Sequence, residues 1–385
     1  MKIIIDWLIP MKTINSFQIN PLDVTFEPLA GSTLTNILRL IAQNHGRVEF
    51  IGFARIVYSL MMGTVLSPLN ILERLKFDKK VLNKSIDHPP IFIIGHWRTG
   101  STYLHNLICQ DTQFGYPSTF QTVTPAVILG FEKMIKPIVS SSLPDKRPQD
   151  DVDMGADLPQ EEEYALGNLS PYSFYNGWLF PKNMDLYNNY VDFKNVKERE
   201  IQEFKNIFLY YVQKLNYYYH GKQLVLKNPS NTCRIRELLD IFPDAKFIHI
   251  YRNPYHVYLS MKRNIEKEMP LYTLQKPPAW DVFEKAMVDM YLRMFEKYFK
   301  EKPLILKENF TEIKYEDFIQ HPVDEMKRMY KELSLPGFSE AQPRFQRYVD
   351  SQKKIKISSY KIKQDLKNKI YGYLHETIDL WGYDI

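Results

Sequence analysis

The sequence predicts an α/β fold in which helices flank a central parallel sheet. Residues 91–94 and 245–251 are short runs rich in β-branched and aromatic side chains, as expected of strands buried on both faces. Each run is followed by apolar residues at helical spacing. Alternating strands and helices are typical of parallel sheets, whose ligands bind at the carboxyl ends of the strands.

The chain has 385 residues, enough for one large domain with extensions or for two domains. We expect three parts along the chain. They are a helical N-terminal extension at 1–87, an α/β domain at 88–335, and a helical, lysine-rich segment at 336–385 that packs on this domain.

In the N-terminal extension, residues 33–48 carry apolar side chains on one face of a predicted helix. Residues 56–72 contain no charged side chain, but Pro68 is expected to interrupt a helix there, and residues 73–88 are expected to form a polar linker. The uncharged stretch fits a buried core helix, a membrane span, or a helix at a membrane surface or over an apolar acceptor site. The membrane-surface alternative predicts a peripheral contact through residues 50–72.

The strand at 91–94 leads into a loop bracketed by Gly95 and Gly100, and then into a helix that begins at Ser101. The N–H groups of such a loop and the positive end of the helix dipole converge on one anion. The spacing Gly-x-x-x-x-Gly-Ser-Thr matches a nucleotide-binding loop, except that Ser101 stands where an NTPase has a lysine. The residues predicted to bind a phosphate and a neighbouring transferable group are Gly95, Arg98, Thr99, Gly100, Ser101 and Thr102. An ordinary strand-turn-helix corner is the alternative.

The middle of the chain begins with an acidic segment at 143–164. Pro159 is placed to begin a helix with residues 161–163, all glutamates, in its first turn, where negative charge suits the helix dipole. A long helix is predicted at 198–219 and a short strand at 224–226.

A second candidate anion site follows the strand at 245–251. This strand ends at Arg252, and an arginine in that position can bind a phosphate through two hydrogen bonds. Ser260 falls in the first turns of the next helix, where its hydroxyl can reach the same phosphate. A solvated basic turn is the alternative. The remaining predicted elements are helices at 235–242 and 280–300 and a last strand from 313 that runs into a helix.

Two phosphate sites on one sheet fit a nucleotide that is phosphorylated at both ends. Here the sequence resembles the sulfotransferases that use 3′-phosphoadenosine 5′-phosphosulfate (PAPS). Gly95–Thr102 resembles the 5′-phosphosulfate loop of that family, and Arg252-Asn253-Pro254 with Ser260 resembles its 3′-phosphate site. Residues 224–231 and 242–252 are similar to segments of its broad bacterial branch. The resemblance covers about 88–330 and implies a P-loop NTPase-like sulfotransferase fold. It also implies in-line sulfuryl transfer from PAPS to a hydroxyl on a lipid, a carbohydrate or a small metabolite.

The resemblance also implies roles for individual residues. Arg98 and Lys227 would stabilise charge on the leaving phosphate or on the sulfuryl oxygens. Well-known cytosolic members have a histidine base after the second strand, which this sequence lacks. Pro159–Glu163 is similar to a Pro-x-Glu-acid-Glu segment of the bacterial branch, so Glu161 or Glu163 is predicted as the general base. Glu162 and His96 stay open as alternatives, as does a surface role for the three glutamates.

No metal is expected, because the transferred sulfuryl group carries less charge than a γ-phosphoryl group. A phosphotransferase or kinase built on the same loop, and a non-catalytic nucleotide-binding protein, are the alternative functions. Ser101 in the lysine position argues against a kinase.

The formal net charge of +5 fits an anionic small molecule or a membrane surface and does not require nucleic acid. The two cysteines, Cys109 and Cys233, lie far apart in the sequence, which favours free thiols in a reducing compartment. Residues 1–10 lack the features of a signal peptide. A cytoplasmic enzyme is therefore expected, with peripheral membrane association as an open alternative.

Overall fold

The structure is a computed structural model of the chain, and it describes residues 22–24, 27–147, 152–352 and 362–383. The prediction made for residues 1–10 lies outside these ranges. The centre of the fold is a parallel sheet with the strand order β2–β1–β3–β4. The strands are β1 (Ile91–Ile94), β2 (Val225–Lys227), β3 (Lys246–Tyr251) and β4 (Phe310–Lys314). Because they are parallel, their carboxyl ends meet at one edge of the sheet.

Helices surround this sheet in the described part of the chain. They are α1 (Leu34–Gln43), α2 (Phe53–Leu82), α3 (Ser101–Ile108), α4 (Thr119–Val123), α5 (Glu132–Ser142), α6 (Glu162–Leu169), α7 (Asn176–Leu179), α8 (Met184–Asp192), α9 (Glu198–Tyr218), α10 (Ile235–Ile241), α11 (Pro254–Tyr272), α12 (Trp280–Glu301), α13 (Tyr315–Gln320), α14 (Pro322–Glu332), α15 (Phe338–Gln352) and α16 (Gln364–Leu380). The predicted α/β fold with a central parallel sheet is thereby confirmed. The predicted division at residues 87 and 335 stays a prediction.

The two faces of the sheet are covered by separate groups of helices. Phe92 and Ile94 of β1 belong to a cluster of buried side chains from α1, α2, α9, α12 and α16. Ile91 and Ile93 belong to a second cluster from α3, α13, α14 and α15. Alternate residues of a strand point to opposite faces, so β1 is buried on both sides, as its uncharged sequence predicted.

The prediction that Pro68 interrupts the uncharged stretch is wrong, and so is the polar linker predicted at 73–88. Pro68 lies inside α2, which continues to Leu82. The segment beyond the proline is held by tertiary contacts: the buried carboxylate of Glu73 pairs with Lys214 of α9 at 2.7 Å and accepts from the N–H groups of residues 129 and 130. These contacts outweigh the local free-energy cost of a proline inside a helix. The sequence pattern shows that cost but does not show the contacts.

One face of α2 is buried and another is exposed. Exposed apolar side chains recur every three or four residues and include Phe53, Val57, Met61 and Val65. By length and composition, Phe50–Leu82 is apolar enough to cross a membrane, with a third of its apolar window buried in the protein.

Other predicted elements need only small changes at their ends. The helix predicted at 33–48 ends earlier, at Gln43, and the strand predicted at 224–226 is shifted by one residue to Val225–Lys227. The last strand begins at Phe310 rather than at 313.

Candidate active site

The loop between β1 and α3 turns around two glycines with positive φ angles, 139° at Gly95 and 94° at Gly100. A Cβ atom at Gly95 would lie 2.2 Å from the carbonyl oxygen of Ile250, and one at Gly100 would lie 2.4 Å from the ring of Tyr315. Both positions therefore exclude a side chain, because of the conformation and because of the close approach. Helix α3 begins directly after the loop, at Ser101, so the N–H groups of its first turn face the same place as the loop.

The two arginines predicted for separate phosphate sites are neighbours. Arg98, with a φ of 70°, donates from its Nε to the hydroxyl of Ser260 at 3.0 Å. Arg252, at the end of β3, donates to the carbonyl oxygen of Arg98 at 3.1 Å, and its guanidinium lies 4.3 Å from the ring centre of Tyr315. Arg252 is 9% exposed, and its buried Nε has no hydrogen-bond partner among the described residues. Arg98, Arg252 and Ser260 thus form one basic cluster at the sheet edge.

Lys227 is the last residue of β2, which pairs directly with β1. Its ammonium group is buried, donates to the hydroxyl of Thr102 at 3.3 Å, and forms an ion pair with Glu161. Burial lowers the pKa of Lys227 from its ordinary value, against the opposing effect of Glu161. Lys227 therefore bridges the phosphate loop and one of the predicted bases.

Glu161 occupies the N-cap position of α6, which begins at Glu162, three residues after the start predicted at Pro159. Besides Lys227, its carboxylate accepts a hydrogen bond from the hydroxyl of Tyr175. That hydroxyl in turn accepts from the indole N–H of Trp97, in the phosphate loop, at 3.2 Å. Glu161 is 8% exposed, so its carboxylate is held by these contacts but is not completely enclosed by the protein.

The two following glutamates have different surroundings, and both are fully buried. Glu162 accepts from the amide of Asn231 at 2.7 Å, and burial raises the pKa of its carboxyl to about 8. Burial also acts to raise the pKa of Glu163, but the charge and hydrogen bonds of Arg234 outweigh it, and the pKa lies below its ordinary value. Arg234 donates to Glu163 at 2.7 Å, and Asn228 donates to it at 2.6 Å. The alternative of a surface role for these glutamates is therefore wrong.

The two histidines near the loop are also buried. The Nδ1 atom of His96 lies 2.9 Å from the carbonyl oxygen of Trp97, and burial lowers the pKa of His96 to about 4. His105 is fully buried within α3, and its pKa is lowered to about 3, mainly by burial. Both imidazoles are neutral near pH 7.

Sequence reasoning missed Tyr175, Asn228, Asn231 and Arg234, which hold the three glutamates in place. The asparagines did leave a signal, because they follow directly after the carboxyl end of β2, where parallel sheets place their ligand-binding residues. Tyr175 lies outside any strand-loop motif, and its contact with Glu161 is evident only from the folded structure. Thr232, also missed, accepts from the N–H of Gly95 at 2.8 Å and fixes the start of the loop.

The site combines a basic cluster, a phosphate loop without a lysine, and a lysine–carboxylate pair at the same sheet edge. This combination indicates an enzyme that transfers a group from an anionic donor. Comparison with known proteins identifies the family. The model of the sulfotransferase family matches residues 89–340. The chain belongs to the sulfotransferase family, and the predicted activity, transfer of a sulfuryl group, is confirmed.

Two named relatives are omega-hydroxy-beta-dihydromenaquinone-9 sulfotransferases Stf3, from Mycobacterium bovis and Mycobacterium tuberculosis. Each is 31% identical over 356 residues, which is 92% of this chain and 90% of the relative.

Two solved structures share the fold. Sulfotransferase STF9 from Mycobacterium avium has a TM-score of 0.64 at 17% identity and covers 92% of this chain and 97% of its own. Sulfotransferase STF1 from Mycobacterium tuberculosis has a TM-score of 0.63 at 16% identity, covering 91% and 94%.

Proposed function

We propose that the sulfuryl donor is PAPS. The observation that carries this proposal is the contact between the two predicted phosphate sites, in which Arg252 donates to the backbone of Arg98 and Arg98 donates to Ser260. A nucleotide with phosphates at both ends can bridge such a cluster and the loop beside it. The buried, unpartnered Nε of Arg252 fits a phosphate oxygen as its acceptor.

In this assignment, the loop from Gly95 to Thr102 holds the 5′-phosphosulfate through its N–H groups and the first turn of α3. Arg252 and Ser260 hold the 3′-phosphate. Sulfuryl transfer, like phosphoryl transfer, has a loose transition state in which negative charge grows on the leaving phosphate. Lys227 and Thr102 are already in contact at 3.3 Å, and we assign them to that developing charge. The expectation that no metal is needed belongs to this proposal.

For the general base we propose Glu161 rather than Glu163 or His96. The carboxylate of Glu163 is enclosed and paired with Arg234, so a substrate proton would have to displace a buried ion pair. His96 is buried among aromatic rings. Glu161 keeps some exposure and contacts Lys227, which also contacts the phosphate loop. As Lys227 shifts its bonding to the leaving group, the Glu161 carboxylate becomes free to accept the acceptor's hydroxyl proton.

We propose an apolar, hydroxyl-bearing lipid as the acceptor. The named relatives are sulfotransferases of an omega-hydroxy menaquinone derivative, and they align with 92% of this chain. A quinone-type lipid alcohol is therefore the first acceptor to test, ahead of carbohydrates and small polar metabolites.

We further propose that the enzyme is cytoplasmic and contacts a membrane peripherally through α2 and the residues before it. The exposed apolar side chains of α2, from Phe53 to Leu75, are typical of a helix that lies in a membrane interface. The exposed basic residues that follow at its C-terminal end, Lys76, Lys79 and Lys80, suit an anionic lipid surface.

The test is sulfuryl transfer from [³⁵S]PAPS to a long-chain alcohol, a quinone-type lipid alcohol and a sugar, with ATP and Mg²⁺ in parallel reactions. We expect a labelled sulfate ester on the apolar alcohols and no phosphorylated product. Phosphorylation from ATP would support the kinase alternative, and nucleotide binding without any product would support a non-catalytic protein.

A further inference from the structure

A cleft of about 440 Å³, counted with its open mouth, lies between the segment before α1, helices α6 and α7, and the end of α11. Leu29, Tyr164, Tyr175, Trp178 and Tyr272 form its mostly apolar wall. We call it the tyrosine cleft.

The wall of the tyrosine cleft contacts the proposed base through one residue, Tyr175. The ring of Tyr175 lines the cleft and stacks on Tyr164 with the ring centres 4.5 Å apart. The hydroxyl of the same Tyr175 donates to Glu161. A molecule in the cleft therefore lies one side chain away from the carboxylate that we assign to proton removal.

Several polar groups in the wall are already bonded to the protein, whereas the buried Oδ1 of Asn168 has no hydrogen-bond partner among the described residues. The amide nitrogens of Asn168 and Asn176 donate to backbone carbonyl oxygens, at 3.2 Å and 3.3 Å for Tyr164 and Ser170, and Glu268 accepts from Asn264 at 2.9 Å. The surface left for a ligand is chiefly apolar, which favours a hydrocarbon chain over a sugar.

The cleft also lies next to the start of α2. Arg55 donates to the carbonyl oxygen of Leu271, the neighbour of the lining residue Tyr272. The backbone at Gly52 packs so closely on Leu274 that a Cβ there would lie 2.5 Å from its Cα. Two large apolar side chains at this end of α2 are exposed, Phe50 at 85% and Phe53 at 63%.

We propose that the tyrosine cleft holds the apolar chain of the acceptor alcohol, which enters it from a lipid bilayer contacted by the exposed phenylalanines beside α2. The proposal rests on the proposed function for the reaction that follows binding. The occupant is an alcohol with a hydrocarbon chain, because the wall is apolar and because the hydroxyl-bearing end has to reach Glu161.

A second apolar cleft is the competing location. It has the same volume, lies between α11 and α12, and is lined by residues that include Trp97, Met261, Ala286 and Met287. Within the described part of the chain, none of its lining residues hydrogen-bonds to Glu161 directly. Trp97 is connected to Glu161 only through Tyr175. It serves as the matched control.

The test measures binding of a bromo-substituted long-chain alcohol by quenching of tryptophan fluorescence, since Trp178 lines both clefts. Leu29→Phe adds bulk to the tyrosine cleft, and Ala286→Phe adds bulk to the other. We expect saturable quenching in the wild type, an at least tenfold weaker Kd in Leu29→Phe, and a Kd within twofold of the wild type in Ala286→Phe. If circular dichroism shows that Leu29→Phe does not fold, Tyr272→Gln, at a half-buried wall position, replaces it.

Weaker binding in Ala286→Phe than in Leu29→Phe would place the acceptor chain in the competing cleft. Equal affinities of the two variants, or an absence of saturable quenching in the wild type, would also overturn the proposal. The readout needs no turnover. Loss of quenching in Leu29→Phe together with no sulfuryl transfer in the wild type would therefore refute the proposed function and leave the lipid site standing.

Discussion

Replacing Arg252 with alanine is expected to weaken binding of adenosine 3′,5′-bisphosphate, the product nucleotide, on the order of 100-fold. The guanidinium is 9% exposed, so solvent screens its interaction with a 3′-phosphate only weakly. Two hydrogen bonds to a charged group contribute about 1.5 kcal/mol each at the lower end of the usual range. About 3 kcal/mol corresponds to roughly two powers of ten in Kd.

Arg252 also donates to the backbone of Arg98, so its loss could disturb the loop as well as the 3′-phosphate site. Adenosine 5′-monophosphate separates the two effects, because it lacks the 3′-phosphate. Isothermal titration calorimetry of both nucleotides should show a large loss for the bisphosphate and a change of less than about threefold for the monophosphate. Ser260→Ala, which removes one neutral donor, should cost about 1 kcal/mol, or roughly fivefold, for the bisphosphate alone. Equal losses for the two nucleotides would show that Arg252 acts on the loop and would refute the 3′-site assignment.

Three further changes test the glutamates and one tests α2. Glu161→Gln should lower kcat by about 10²–10⁴-fold while bisphosphate affinity stays within a few-fold, because the general base is lost but the donor site is kept. Glu163→Gln should lower the free energy of unfolding by about 3–5 kcal/mol in urea titrations, because it leaves the buried Arg234 without its charged partner. Burial raises the pKa of Glu162 to about 8. Between the ordinary pKa of a glutamate and pH 8, the folded state therefore binds more protons than the unfolded state. The unfolding free energy of the wild type relative to Glu162→Gln should therefore fall by a few kcal/mol as the pH rises from about 4.5 to 8. Met61→Asp, at an exposed position, should reduce co-sedimentation with anionic phospholipid vesicles without changing transfer to a detergent-solubilised alcohol.

Each of these has a result that would contradict it. Wild-type turnover in Glu161→Gln would remove that residue from the chemistry. An unchanged unfolding midpoint in Glu163→Gln would mean that Arg234 finds another partner. A flat pH dependence of the difference between the wild type and Glu162→Gln would place a charged carboxylate at 162. Undiminished vesicle binding in Met61→Asp, with Gln202→Asp on the exposed side of α9 as a charge-matched comparison, would exclude this face of α2.

The parts of the site that the sequence predicted are those built from local geometry. The phosphate loop follows from the strand at 91–94, the spacing of Gly95 and Gly100, and the helix after them, all within twenty residues. Arg252 and Lys227 could be placed near this loop because parallel strands end at one edge of a sheet. Neither argument needs a knowledge of side-chain packing.

What the sequence could not predict depends on contacts between distant segments. Glu163 is 71 residues from Arg234 in the sequence. Because Glu163 is paired with this buried arginine, its role differs from that of Glu161, two residues earlier. Tyr175 reaches Glu161 across the start of α6, and no spacing rule links the two. The same holds for α2, where Glu73 and Lys214, 141 residues apart, keep the helix intact beyond Pro68.

The most direct test of the central assignment is a crystal structure of the enzyme with adenosine 3′,5′-bisphosphate. We predict the 5′-phosphate in the loop from Gly95 to Thr102, beside Lys227, and the 3′-phosphate on Arg252 and Ser260. A nucleotide bound elsewhere, or bound with its 3′-phosphate in solvent and Arg252 uninvolved, would contradict the assignment.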